Sequence, residues 1–127
     1  MTDLLSELNK IANEYECEVV EGNEFAYYYE ESLIVVDLND KDEAFLNFAR
    51  KNGLNKKVSA FTVSFLHELG HNETIDFVEE YEGDKENLSL EEYFNLEEEF
   101  EATMWAIEYC NEHKNIIDKI ERLLVNY

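Results

Sequence analysis

The chain contains no proline, four glycines and two cysteines in its 127 residues. Without proline or a low-complexity segment, nothing marks a linker, and the length predicts a single domain over residues 1–127. The two cysteines, Cys17 and Cys110, cannot form a multi-bridge disulfide framework or a cysteine-rich zinc knuckle. This cysteine usage is typical of a reducing, cytoplasmic compartment.

Positive charge is also scarce, with 10 basic against 31 acidic residues and a net charge of −21. Such a surface repels phosphate groups, which argues against binding to nucleic acid or to an anionic membrane. No apolar stretch approaches the roughly 18 residues that span a bilayer. The first residues, MTDLLSELNK, lack the basic start and long apolar run of a signal peptide. We therefore expect a cytoplasmic protein without nucleic acid or membrane partners.

The first half of the chain predicts a helix, a small antiparallel sheet and a second helix. Apolar residues at helical spacing favour a helix over residues 3–15. The runs CEVV, FAYYY and SLIVVDL are rich in Val, Ile and Tyr, which is typical of three strands. Asn39 or Asp40 can then cap a helix that continues to Arg50.

The second half predicts the helices that complete an α+β fold. Ser59 is a residue type that caps helices, and it precedes the stretch TVSFLHELGH at 62–71. Ser89 and Glu92 have the spacing of a capping box, so a long helix is expected from there to about Cys110. The run IIDKIERLL predicts a terminal helix that closes the core.

The motif HELGH at 67–71 has the spacing of a metal site on a helix. Residues four apart lie one turn above each other, so His67 and His71 share a face and can hold one metal ion. Glu68 lies one step round the helix, where its carboxylate can take a proton from a water on that metal. This is the HExxH arrangement of zinc peptidases, and the apolar residues around it predict a buried helix.

A catalytic zinc site needs a third protein ligand from outside this motif. The third histidine, His113, lies in the polar stretch NEHKN, where a surface position is the common outcome. Better donors are the four glutamates of the predicted long helix: Glu97, Glu98, Glu99 and Glu101. Ala102 and Ala106 follow Glu99 at i+3 and i+7, so this stripe lets another helix approach closely. The spacing therefore favours Glu99.

Two motifs together resemble a known family. HELGH is followed, 28 residues after His71, by EFEATMWA at 99–106. This pair resembles the ImmA/IrrE family of small zincin metallopeptidases, whose downstream pattern is E-x-[EQ]-A-[ND]-x-[FW]-A. The resemblance implies a zincin-like fold with zinc ligands at His67, His71 and Glu99, and with Glu68 as the general base.

The same resemblance implies an activity and a kind of partner. Members of the family often cleave a helix-turn-helix repressor that is encoded nearby in phages and mobile elements. We therefore expect zinc-dependent hydrolysis of a peptide bond in a partner protein, such as a DNA-binding repressor, in which Glu68 moves a proton from water to the leaving amine. Tyr81 or Tyr93 could donate a hydrogen bond to the oxyanion.

One position departs from the family pattern. Four residues after the ligand glutamate, where the family has Asp or Asn, this chain has Thr103. The group that orients a metal-bound histidine is thereby reduced to a hydroxyl, which predicts lower metal affinity or activity.

A rival hypothesis comes from a different class of protein. A zincin scaffold can be reused as a non-enzymatic inhibitor, and a net charge of −21 can present a polyanion-like surface to a DNA-binding protein. In this alternative, binding depends on the acidic surface and not on Glu68.

Overall fold

The computed structural model describes residues 2–126, with side chains from Leu4 onward, and shows an α+β architecture. The predicted fold class is confirmed. The six helices are α1 (Thr2–Asn13), α2 (Ala44–Lys51), α3 (Ala60–Thr74), α4 (Leu90–Phe94), α5 (Glu97–Glu112) and α6 (Lys114–Val125). The three strands are β1 (Glu18–Glu21), β2 (Ala26–Tyr28) and β3 (Leu33–Val36). Short 3₁₀ turns occupy Ile75–Phe77 and Lys85–Asn87.

The sheet has the three predicted strands, but it is mixed and not antiparallel. Its order is β1-β3-β2, with β2 antiparallel and β1 parallel to the central β3. The apolar run Leu33–Val36 explains the middle place of β3, because a strand flanked on both edges buries more of its surface. The connection between β1 and β2 reverses the chain and carries it to the opposite edge. The antiparallel prediction is therefore wrong for β1.

The outer edge of β1 is closed by a side chain from the first helix. The Asn9 side-chain amide donates to the Val19 carbonyl at 3.0 Å, and the Val19 N–H donates to Asn9 Oδ1 at 2.8 Å. One amide thus satisfies both Val19 backbone groups that another strand would otherwise pair with. This contact ties the outer edge of β1 to α1.

Three predicted helix boundaries are wrong. The first helix ends at Asn13 and not at residue 15. Helix α2 begins at Ala44 and not after Asn39 or Asp40, because carboxylates in the preceding loop bind backbone N–H groups and hold it in turns. The predicted long helix divides into α4 and α5, since Leu96 adopts an extended backbone conformation. The capping box at Ser89 and Glu92 is present and starts α4.

Helix α3 lies in the centre of the molecule and packs mainly against α5. Every residue from Thr62 to Gly70 is buried, as the surrounding apolar pattern predicts. Ser59 caps the helix by accepting a hydrogen bond from the Thr62 N–H, and Glu121 of α6 accepts hydrogen bonds from Ser59 and Thr62. A carboxylate at this end of the helix also complements its dipole. These contacts fix the helix that carries HELGH.

Both ends of the predicted domain, Met1 and Tyr127, lie outside the described residues, so its extent stays a prediction. In the part of the chain that the structure describes, each helix is too short or too polar to cross a bilayer.

The closest approach of α3 and α5 generates a stability prediction. A Cβ added to Gly70 would overlap the Ala102 carbonyl, and backbone cannot move aside as a side chain does. We expect Gly70→Ala to lower the free energy of unfolding by about 1–3 kcal/mol, as overpacking does. The control Asn47→Ala, on the exposed side of α2, should change it by less than about 0.5 kcal/mol. Urea unfolding of the metal-free protein measures both, and equal values would contradict the close packing.

Candidate metal centre

Three predicted ligands come together between α3 and α5. His67 Nε2 lies 2.9 Å and His71 Nε2 lies 3.1 Å from Glu99 Oε1. One ligand atom from each residue lies within 4.8 Å of the others. Ligand atoms about 2.1 Å from a tetrahedral metal are about 3.4 Å apart, so the spacing of this triad fits a single ion.

The hydrogen bonding of Thr103 tests whether the triad suits a metal. The Thr103 hydroxyl donates to the backbone carbonyl of Glu99 at 2.9 Å. Its single proton is therefore not shared with His67 Nδ1, which lies 2.9 Å from Thr103 Oγ1. His67 must donate there, so the neutral ring carries its lone pair on Nε2. That lone pair would face a carboxylate oxygen, and two acceptors so close need a positive charge between them, either a proton on Nε2 or a metal ion. A metal ion meets this requirement, and the donor set fits it.

The His67 ring is held before any ion arrives. His67 is 1% exposed and Glu99 is 2% exposed, so both side chains are buried. The Phe45 ring of α2 packs against the His67 ring with centroids 4.2 Å apart. His71 is more open, with 18% of its side chain exposed. The site is therefore closed at His67 and accessible at His71.

The charges of the triad are coupled. Burial by itself raises the pKa of the Glu99 carboxyl, but hydrogen bonds and charge from His67 and His71 outweigh it and hold that pKa well below its usual range. Burial lowers the pKa of His71, yet the bond to Glu99 outweighs it and raises that pKa above its usual value. In the metal-free protein this pairing stabilises the fold below the ordinary pKa of His71, and the contribution is lost as pH rises through the raised one.

Glu68 lies in the cleft beside the triad. It is 8% exposed and lines the cleft together with His71 and Glu99. Burial raises the pKa of its carboxyl, while His67 and His71 act in the opposite direction. A carboxylate with a raised pKa is a stronger base than a solvated one, which suits proton transfer near neutral pH.

The cleft has a volume of about 300 Å³ and is lined by two chemically different sets of side chains. The apolar and aromatic set comprises Phe25, Tyr27, Tyr29, Ile75 and Val78. The charged set comprises Glu68, Glu80, Lys85, Glu98 and Glu99. Asn72, the residue after the HELGH motif, accepts a hydrogen bond from the Tyr27 hydroxyl at 2.8 Å and so ties Tyr27 to α3.

The other candidates separate clearly. Tyr93 lines the cleft, whereas Tyr81 lines a different hollow on the surface. His113 lies at the end of α5, stacked on Tyr109 with centroids 4.0 Å apart, and away from the triad. Among the four glutamates, the carboxylate of Glu97 instead accepts from a loop N–H, and Glu101 is exposed.

Two charged residues lie at the site in ways that the sequence did not predict. Lys85 was not predicted to belong to the site, yet its Nζ lies 2.6 Å from Glu99 Oε2 and 3.1 Å from Glu98 Oε2. Glu98, one of the four candidate donors, is not part of the triad, but its carboxylate pairs with this lysine and lines the cleft. The only indication of this contact in the sequence is that Lys85 is a single lysine among acidic residues after Gly83.

No family model, no curated protein and no solved structure matches the chain. The functional interpretation therefore depends on the convergence of His67, His71 and Glu99. Their identity and spacing indicate a site for a metal ion, without specifying which metal.

The triad predicts the metal content of variants. We expect wild type to bind about one zinc ion per chain, as a three-ligand site does. His67→Ala and Glu99→Gln should lose it, because each removes one of three ligands. His113→Ala and Glu101→Gln are the matched controls and should retain it. Elemental analysis after dialysis measures all five proteins, and a zinc-free wild type would contradict the ligand assignment.

The Thr103 hydroxyl makes a separate prediction about affinity. Thr103→Val keeps the shape but leaves His67 Nδ1 without a partner, so zinc affinity should fall about 10–100-fold. Thr103→Ser keeps the hydroxyl and should stay close to wild type. Competition with a chromogenic chelator measures the affinities. Equal affinities of the Val and Ser variants would show that the hydroxyl does not orient the ring.

Proposed function

We propose that the chain is a zinc-dependent metallopeptidase of the zincin type that cleaves a partner protein. The observation that carries the proposal is the convergence of two histidines and a glutamate, with Glu68 lining the same cleft. A purely structural metal site is usually closed by four protein ligands. Here three ligands meet beside an open cleft, which favours a catalytic role.

The chemistry would follow from the residues around a bound ion. Zinc would supply Lewis acidity toward a peptide carbonyl and a water molecule. His67, His71 and Glu99 would hold the ion, and Thr103 orients His67 by accepting its Nδ1–H. Glu68 accepts the proton of the attacking water and returns it to the leaving amine. Its burial supports this role, because a raised pKa brings the carboxyl closer to the working pH.

Tyr93 is the better of the two tyrosines for stabilising the oxyanion. It lines the cleft, whereas Tyr81 does not. Burial and the nearby Glu99 charge raise the pKa of its phenol, so the hydroxyl keeps its proton and remains a donor. A neutral donor in a partly buried position suits a charge that develops on a carbonyl oxygen.

The cleft supports a peptide as the substrate. Within the described residues β2 pairs with β3 alone, so it is an edge strand, and Tyr27 on it lines the cleft. An extended peptide can add to such an edge through backbone hydrogen bonds. The aromatic residues that line the cleft suit an apolar side chain of the substrate. The net charge of −21 favours a basic partner, as a DNA-binding repressor would be.

The rival, an acidic inhibitor, predicts the opposite dependence on Glu68. If the protein is a peptidase, the Glu68→Gln variant should keep its fold and its zinc. It should cleave its substrate about 10²–10⁴-fold more slowly than wild type, since Gln cannot act as a base. Candidate repressors are incubated with both proteins and analysed by mass spectrometry. The matched control is Glu101→Gln, an exposed position on α5, which should cleave like wild type.

One result would overturn the peptidase in favour of the inhibitor. In that case wild type cuts no candidate but binds one in a salt-sensitive manner, and Glu68→Gln binds equally well. Reversal of several charges between residues 79 and 86 should then abolish binding. The acidic residues to reverse are Glu79, Glu80, Glu82, Asp84 and Glu86.

A further inference from the structure

The two oxygens of the Glu99 carboxylate have different partners. Oε1 faces both histidine Nε2 atoms at 2.9 and 3.1 Å. Oε2 accepts a hydrogen bond from Lys85 Nζ at 2.6 Å. Glu99 is 2% exposed, so water cannot exchange freely for either partner. Oε1 of the carboxylate therefore faces the candidate metal position, and Oε2 is bound to Lys85.

Lys85 is held in place by two side-chain contacts besides Glu99 and by the capped turn that carries it. Its Nζ lies 3.1 Å from Glu98 Oε2 and 5.7 Å from the centre of the Tyr93 ring. The 3₁₀ turn that carries it is capped by Asp84, which accepts from the Glu86 N–H at 2.9 Å. A lysine on a free loop would be mobile, whereas this one is positioned.

The loop itself is tied to the start of α5 by consecutive glutamates. Glu97 Oε2 accepts from the Glu79 N–H at 2.7 Å, and Glu98 Oε1 accepts from the Tyr81 N–H at 2.6 Å. The next glutamate along α5, Glu99, accepts a hydrogen bond from Lys85. The N-terminal turn of α5 thus anchors the loop and the lysine together.

We propose that Lys85 is a positioning residue that keeps Glu99 a one-oxygen metal ligand, an inference that rests on the metal site of the proposed function. A carboxylate can coordinate through one oxygen or through both. A short, charge-assisted bond to Oε2 makes the two-oxygen mode costly, because the ammonium would lose its partner. With one oxygen from Glu99, the ion keeps the open position that a catalytic site requires.

Cobalt(II) in place of zinc tests the proposal through its visible spectrum. Four-coordinate cobalt absorbs more strongly than five- or six-coordinate cobalt. Lys85→Met keeps the length of the side chain and removes its charge, so Oε2 is released and can also coordinate. We expect this variant to lose absorption per bound cobalt, while wild type and Lys85→Arg keep the intense spectrum. Lys57→Met is the control for loss of one exposed lysine and should match wild type.

Far-UV circular dichroism of each cobalt-loaded variant confirms that the fold is retained. A Lys85→Met spectrum that superimposes on wild type would overturn the role of Lys85, and a wild type that takes up no cobalt would overturn it together with the metal site. The spectra do not depend on cleavage. A wild type that gives the expected spectra but cuts no protein supports the role of Lys85 and contradicts the peptidase assignment.

Discussion

The site depends on one electrostatic constraint, namely that acceptor atoms are packed around Glu99 Oε1 in the protein interior. The Thr103 hydroxyl donates to the Glu99 backbone carbonyl and can accept from His67 Nδ1, which leaves the Nε2 of the neutral ring facing that oxygen at 2.9 Å. Acceptors buried this closely repel unless a proton or a metal ion joins them. The approach of α3 to α5 at Gly70 and Ala102 imposes the arrangement, so the fold itself creates the demand for a positive charge.

Local sequence patterns predicted the parts of the site that lie on single helices. The positions of His67 and His71 follow from the pitch of α3, and Ser59 caps that helix as its residue type indicates. The stripe of small residues after Glu99 indicated, among four neighbouring glutamates, the one whose carboxylate lies beside both histidines. These features could be predicted because each depends on residues within two or three turns of one another.

Long-range pairings were not predictable in the same way. The ion pair of Lys85 with Glu99 joins a loop to a helix, and no local spacing indicates it. The parallel pairing of β1 with β3 depends on which strand takes the centre of the sheet. The break between α4 and α5 falls where the backbone of Leu96 is extended, although the apolar pattern continues through it. Each of these features is decided by tertiary packing.

We propose that His67, His71 and Glu99 hold a catalytic zinc ion, and X-ray absorption at the zinc edge of the loaded protein tests this directly. We predict a first shell of nitrogen and oxygen atoms at about 2.0–2.2 Å with the outer-shell scattering of two imidazoles. A sulfur shell at about 2.3 Å, which only Cys17, Cys110 or the methionines could supply, or a shell of oxygens without imidazole would contradict it.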